Sequence, residues 1–232
     1  MISRLAGTAV RYSRKLLVTA TLGAVHLRRS RPWSHGLMIA MNDYGWFEIT
    51  GPGLSVGSCL TFVRGRTSDE VAHALGGSVI GRIVGLDDLD EHNFSVAVTE
   101  LTGGALIVEQ YSQLGTDEEI LETLSQGTDV ATVYHSEHND ELFIWAKDGD
   151  VRVSFDFRNA SWREGSEPDA LLDVLRAMGF NLGPDDPDDP DYVFDEQASG
   201  RAFDLAEHVT GVRLTEAVLT SSFSLVRVPA LA

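Results

Sequence analysis

The densest group of side chains with chemical potential is the segment His135-Ser136-Glu137-His138-Asn139-Asp140-Glu141. Imidazole and carboxylate groups are common ligands of zinc and other divalent cations. The spacing therefore defines one candidate metal site, formed by His135, Glu137, His138 and Asp140. Because the segment joins two β-like runs, the interpretation that the sequence favours is a polar hairpin loop. Proton transfer by one of the two histidines is the third alternative.

Two further residues are weaker candidates for nucleophilic chemistry. Gly53-Leu54-Ser55-Val56-Gly57 has the spacing of the nucleophile elbow of α/β-hydrolases, which needs a strand before the serine and a helix after it. A β-like run at 58–64 follows instead, so the spacing does not predict a hydrolase. Cys59, the only cysteine, lies in that run and is predicted to be a buried, inert thiol. The sequence assigns no catalytic residue and no cofactor.

The segment Pro184–Asp191 carries five carboxylates with no base nearby. Calcium loops use such oxygens but also need a glycine-assisted turn and a terminal bidentate acid. The prolines and the mutual repulsion of the charges favour an extended, solvated acidic connector near residues 181–195. The other interpretation is a docking strip for a basic partner protein, formed by Asp185, Asp186, Asp188, Asp189 and Asp191.

The net charge of −17 is unevenly distributed along the 232 residues. Residues 1–40 contain seven of the 18 basic side chains and none of the 35 acidic ones, so residues 41–232 have a net charge of −24. Such a charge repels nucleic-acid phosphates, and no nucleic-acid partner is expected. It favours solubility and attracts basic proteins.

Residues 1–40 form a basic leader. Its apolar stretch, Leu16–Val25, is shorter than the roughly 20 residues that a membrane-spanning helix needs. The sequence favours an extension upstream of a true start at Met38 or Met41. The alternatives are a disordered or loosely helical tail, a membrane-surface or targeting segment, and a cleaved signal. No stable membrane insertion is expected, and the bacterial cytoplasm is the predicted location.

Residues 41–232 are predicted to form a single acidic α+β domain. Its architecture is a mainly antiparallel sheet built from hairpins, with three to five helices packed on it. Capping boxes predict helix starts at Thr67 and Thr116, a third helix start is predicted at Ser166, and further helices are expected over 195–209 and near 215–219. Because hairpins dominate, the helices are expected on one face of the sheet. The β-like runs are 46–50, 58–64, 94–101, 105–112, 129–135, 141–147 and 151–158.

Over residues 46–219 the chain resembles a family of uncharacterised actinobacterial proteins. The segments that carry the resemblance are Cys59–Gly65, Asp69–Val71, Leu75–Gly77, Gly127–Thr128, Trp145–Val151 and Ala206–Val212. The resemblance implies a domain that excludes the leader and a bacterial, cytoplasmic protein. It implies no reaction and no catalytic residue.

Two functions from different classes follow, and a small-ligand sensor is a third possibility for which the sequence offers no positive feature. The first is a non-enzymatic, acidic protein-interaction module, immunity-like in one concrete form, that binds a basic partner protein. It rests on the charge of −24, on the acidic connector and on the lack of a recognisable catalytic set in the sequence. The alternative is a metal-dependent hydrolase or related enzyme that uses the cluster around His135 and His138.

Overall fold

The structure of the chain is a computed structural model, and it describes residues 44, 46–47, 54, 57–87, 89, 94–136, 138, 140–184, 189–191, 195 and 197–229. Within these residues one antiparallel sheet of eight strands carries five helices, which confirms the predicted α+β class. The strands are β1 (Ser58–Arg64), β2 (Ser78–Val84), β3 (Ser95–Leu101), β4 (Gly104–Gln110), β5 (Asp129–His135), β6 (Glu141–Lys147), β7 (Asp150–Asp156) and β8 (Ser222–Arg227).

The strands lie across the sheet in the order β2-β8-β3-β4-β1-β5-β6-β7. The predicted hairpins between β3 and β4, between β5 and β6, and between β6 and β7 are confirmed. The chain inserts β1 between β4 and β5, so Ser58 lies opposite Gln110 on one side and His135 on the other. The carboxyl ends of β4 and β5 therefore meet beside the start of β1, at one end of the sheet.

The turn between β6 and β7 follows from its sequence. Asp148 and Gly149 both have positive φ angles, of 53° and 81°. A two-residue turn with two positive φ angles matches the twist of the strands that it joins, and Asp-Gly is among the pairs that adopt it most readily.

Helices cover both faces of the sheet, and those of the described residues are α1 (Ser68–Ala74), α2 (Glu118–Leu124), α3 (Leu172–Met178), α4 (Ala198–Thr210) and α5 (Glu216–Leu219). The first face packs against α3 and α4, where Phe62, Leu175 and Phe203 share one hydrophobic cluster. The second face packs against α1 and α2, where Val63 and Leu121 belong to another cluster.

The expectation that the helices lie on one face is therefore wrong. The physical reason is visible in β1, where all residues but Arg64 are buried. A strand that is buried on both sides needs cover on both sides, and a near-continuous apolar run is the sequence pattern of such a strand.

One of the two predicted capping boxes is confirmed. The Thr67 hydroxyl accepts from the backbone N–H of Glu70, and the Glu70 carboxylate accepts from the N–H of Thr67 at 2.8 Å. The box predicted at Thr116 is wrong, because Asp117 caps α2 and accepts from the N–H groups of Glu119 and Ile120 at 3.0 and 3.1 Å. Thr116 instead ends a 3-10 turn, Leu114–Thr116.

Several predicted boundaries need correction. Trp46 and Phe47 lie in helical backbone rather than in a strand, and residues 48–50 lie outside the described residues. α3 begins at Leu172 instead of Ser166. The strands β2 and β8 were not predicted from the sequence. The leader, residues 1–40, lies outside the described residues.

Replacing the observed cap residue tests the start of α2. We expect Asp117→Ala to lower the free energy of unfolding by about 1 kcal/mol, the usual cost of losing a helix N-cap. Thr116→Ala is the matched control, because the Thr116 hydroxyl only donates to the exposed carbonyl of Gln113. We expect the control to cost only a few tenths of a kcal/mol, as surface changes do. Urea unfolding curves give both values, and equal losses would contradict the assignment of Asp117 as the cap.

Candidate functional site

His135 lies at the end of β5 and faces the first side of the sheet. Its ring is buried among Phe47, Phe157 and Phe203, with ring centres 5.9, 5.2 and 6.3 Å away. Its Nδ1 atom lies 2.7 Å from Glu141 Oε2, across the hairpin from β6. His135 continues the alternation of Ala131 and Val133, which are also buried on this face. It is therefore a core histidine paired with a carboxylate.

His138 is exposed in the turn between β5 and β6. The Ser136 hydroxyl organises this turn, because it accepts from the backbone N–H groups of His138 and Asp140 at 3.0 and 2.7 Å. The Asp140 carboxylate is bonded to the same hydroxyl at 3.2 Å. The polar hairpin loop is the arrangement observed for these residues.

The structure does not bring the two histidines of the candidate metal site together. His135 points into the core, whereas His138 is at the surface. Glu137 lies outside the described residues. Among the residues that are described, no three His, Cys, Asp or Glu side chains are grouped so that they could hold a metal ion. The four-residue metal site stays a prediction.

The acidic connector is described only in part. Asp185, Asp186 and Asp188 lie outside the described residues, while Asp189 accepts from the backbone N–H of Asp191 at 2.9 Å. Both flanks of the connector are anchored to the domain. Before it, the Asn159 amide donates to the carbonyls of 183 and 184. After it, the buried carboxylate of Asp195 pairs with Arg201 on α4.

A groove of about 270 Å³ lies where β4, β1 and β5 meet. Tyr111, just past β4, has a left-handed φ of 55° and is exposed. Non-glycine residues in this region of φ are uncommon and cluster at functional sites. The lining is polar and aromatic, from Gly57, Tyr111, Ser112, Gln113, Tyr134, Ser136 and His138.

A buried carboxylate accepts hydrogen bonds from the turn that lines one side of this groove. Glu109 on β4 is 1% exposed and faces the second side of the sheet. Its oxygens accept from the Ser112 hydroxyl at 2.5 Å and from the backbone N–H groups of Leu114 and Gly115 at 2.7 and 2.8 Å. Glu109 thus ties the 3-10 turn to the sheet. Burial raises the pKa of its carboxyl group, although these donors oppose the rise.

Cys59 lies beside Glu109, under the same turn. The predicted buried thiol is confirmed, since Cys59 is fully buried and unpaired. Burial, together with the neighbouring Glu109 carboxylate, raises the pKa of the Cys59 thiol well above its usual range. A thiol in that state is a poor nucleophile.

Gly115 is what lets the turn lie so close to β1. A Cβ atom on Gly115 would lie 2.1 Å from Thr61 Oγ1 and 2.8 Å from Cys59 Sγ.

The role of Glu109 was not predicted from the sequence, although one signal for it was present. Glu109 continues the alternation of Ala105 and Ile107, so its position predicts burial on an otherwise apolar face.

At the far side of the sheet, β2 forms an edge with exposed apolar side chains. Val79, Ile80 and Val84 are 50%, 44% and 82% exposed. A β-bulge between Val79 and Gly81 shifts the register against β8. The side chain of Arg82, in the middle of the strand, is exposed and forms no hydrogen bond or ion pair with any described residue. Single exposed apolar residues are normal, but several on one edge strand are not.

The opposite edge, β7, is covered by the chain itself. Ser154 exchanges two backbone hydrogen bonds with Glu164, at 2.9 and 2.8 Å. The N–H groups of Ser166 and Glu167 donate to the carbonyls of Val151 and Arg152. No described residue covers the outer side of β2 in this way.

Comparison with known proteins defines the family of the chain. Residues 38–231 match the model of a family of unknown function, DUF6461, and the chain belongs to that family. No curated protein and no solved structure matches it. In the described part of the chain, no helix is both long enough and apolar enough to cross a membrane.

Replacing Glu109 tests both its hydrogen bonds to the 3-10 turn and the direction of its pKa shift. We expect Glu109→Gln to lower the free energy of unfolding by about 1–3 kcal/mol, because the amide nitrogen cannot accept from the N–H groups of the turn. The pKa of Glu109 is raised in the folded state. The stabilisation from this raised pKa is complete below the unfolded-state pKa and is lost as pH rises through the folded-state pKa.

The stability difference between the parent chain and the glutamine variant should therefore shrink as pH rises above glutamate's ordinary pKa of about 4.3. Urea unfolding of both proteins at a series of pH values measures this difference. A difference that grows with pH would show that the hydrogen bonds to Glu109 outweigh its desolvation.

The reactivity of the only cysteine tests the cover that the turn provides. We expect the Cys59 thiol of the native chain to react with an aromatic disulfide reagent about 1000-fold more slowly than the thiol of the urea-unfolded chain. This factor corresponds to an opening free energy of about 4 kcal/mol, near the low end of protein stabilities. A native rate close to the unfolded rate would show that the turn does not protect Cys59.

Proposed function

We propose that this protein is a non-enzymatic interaction module that binds a basic partner protein. The observation that carries the proposal is the surplus of carboxylates in residues 41–232, which number 35 against 11 bases. Even if every base paired with its own acid, about two thirds of the carboxylates would have no cationic partner within the domain. The uncompensated charge produces a negative field over the surface.

Most basic side chains of the domain form ion pairs within it. Eight of the eleven Lys and Arg side chains form ion pairs with carboxylates of described residues. Arg64 and Lys147, for example, share Asp129, while Arg163 pairs with Asp169 at 2.6 Å. Few free cations therefore remain to interrupt the negative field. Such a field steers a positively charged protein toward the domain and accelerates association.

The acidic connector is the favoured contact for that partner. Its five aspartates lie between two anchored flanks, at Asn159 and at the Asp195–Arg201 pair. An immunity-like role, in which the module neutralises a basic enzyme by occupying its surface, is the concrete form of the proposal.

The sequence resemblance, rather than the charge, is the basis for a proposal about origin and location. We propose an actinobacterial protein of the cytoplasm, on the strength of the sequence resemblance. Nucleic acids are not proposed as partners, because the domain and the phosphates carry charges of the same sign.

Two charge variants of the full chain test the proposal. One changes Asp185, Asp186 and Asp188 to Asn, and the other changes Glu118, Glu119 and Glu122 on α2 to Gln. Both raise the net charge by the same amount, so they differ only in where the charge is lost. The partner is captured from the native host at low salt with the tagged chain, identified, purified and titrated against each protein.

We expect the captured partner to be basic and its association rate to fall steeply between about 0.05 and 0.3 M salt, because screening shortens the range of the field. The connector variant should bind at least about tenfold more weakly than the α2 variant. Binding that is independent of salt, or an acidic partner, would contradict the proposal. Equal loss in the two variants would contradict the connector as the contact.

A further inference from the structure

We infer that the β2 edge is a strand-addition site, at which an extended segment of the partner pairs with Ser78–Val84. This inference rests on the proposed function, because it locates the contact of the same partner. The two edges of the sheet carry the argument. β7 is covered by the backbone of residues 164–167, whereas the exposed apolar side chains of β2 are left without cover by any described residue. An exposed sheet edge offers backbone donors and acceptors to an added strand.

The register of β2 defines the surface that the added strand meets. Val79, Arg82 and Val84 lie opposite Val226, Ser224 and Ser222 of β8. Val226 is buried in the second-face cluster, so these three β2 side chains share the second face of the sheet. Because of the bulge, an arginine stands between two valines on this one face.

Arg82 determines the chemistry of the partner segment. It is an exposed arginine without an ion pair in the described part of a chain that has about twice as many acids as bases. Carboxylates bind arginine through charge-assisted hydrogen bonds. The added strand therefore carries an acidic side chain opposite Arg82, with apolar side chains two residues away on each side, within a partner that is basic overall.

A second copy of this chain does not meet these requirements. β2 contains no acidic residue, so a copy of β2 offers no carboxylate to Arg82. Two copies, each with a net charge of −17, also repel each other. The bulge and the central charge are features that keep sheet edges from pairing indiscriminately, and they make this edge selective for a matched segment.

A peptide probe tests the inference before the partner has been identified. The probe is the capped peptide Lys-Thr-Val-Thr-Asp-Thr-Val-Thr-Lys, and its control has Lys in place of Asp. Each is titrated into the isotopically labelled full chain at about 0.15 M salt, while backbone amide shifts and amide hydrogen exchange are followed by NMR. We expect the Asp peptide to shift the amides of Ser78–Val84 and to slow their exchange at least about tenfold.

Variants of the chain supply the specificity controls. Val84→Lys should weaken binding of the Asp peptide at least about tenfold, since lysine on an edge strand opposes pairing. Trp162→Lys, at another exposed apolar residue (75% exposed), makes the same charge change away from β2 and should bind like the parent chain. Arg82→Glu should weaken the Asp peptide and strengthen the Lys peptide.

The outcomes separate this inference from the proposed function. Peptide shifts away from Ser78–Val84, or equal binding of both peptides to the parent chain, would overturn the strand-addition site while leaving a salt-dependent basic partner in place. A dimer in sedimentation that Val84→Lys dissociates would also overturn it, because the edge would then belong to a second copy. Peptide binding at β2 without a basic partner would instead refute only the proposed function.

Discussion

Burial of the central strand β1 on both of its faces is the constraint on which the rest of the structure depends. β1 pairs along its length with β4 and β5, so its backbone polar groups are satisfied within the sheet. Its side chains must then be covered from both sides, which accounts for helices on each face. The polar side chains of β1 must also find partners, because a buried unpaired polar group costs about 1–3 kcal/mol. Thr61 does so through Thr132 of β5, at 3.1 Å.

The buried polar network on the second face extends this constraint to the surface. Thr132 donates to the carbonyl of Gly115, and Glu109 accepts from the N–H of the same residue. The 3-10 turn is thus held from β5 and from β4 at once. That attachment includes the Ser112 hydroxyl, which donates to Glu109, and Ser112 and Gln113 both line the groove. The groove is shaped by the core beneath it.

Local patterns were sufficient for the elements whose determinants are close together in sequence. The turn at Asp148 and Gly149 and the cap at Thr67 are of this kind, and both are confirmed. The cap at Thr116 failed because Thr116 and Asp117 both satisfy the local preference, and the 3-10 turn tied to Glu109 decides between them. In β8 the polar residues Ser222 and Ser224 alternate with the apolar residues Phe223 and Leu225. This is a strand pattern, so β8 could have been predicted from the sequence.

The candidate metal site shows a different limit of prediction from residue spacing. Spacing alone cannot indicate whether two histidines three residues apart point to the same side, because the direction of each depends on where the strand ends. His135 is the last residue of β5 and keeps the strand's alternation, so it faces the core. His138 follows the Ser136 turn and faces solvent. The alternation of Ala131, Val133 and His135 is legible in the sequence, so the burial of His135 could also have been predicted.

In the proposed function, the acidic surface and the β2 edge act over different distances, so one protein can use both. At physiological salt a field from many carboxylates acts over roughly 8 Å, and it accelerates encounter with any basic protein without selecting one. Selection requires contacts that only a matched segment completes. β2 supplies such contacts through its backbone and through Arg82, whose positive charge opposes the basic residues that the field attracts. Under that proposal a basic partner must present a carboxylate opposite Arg82, so the local charge discriminates among the proteins that the overall negative charge attracts.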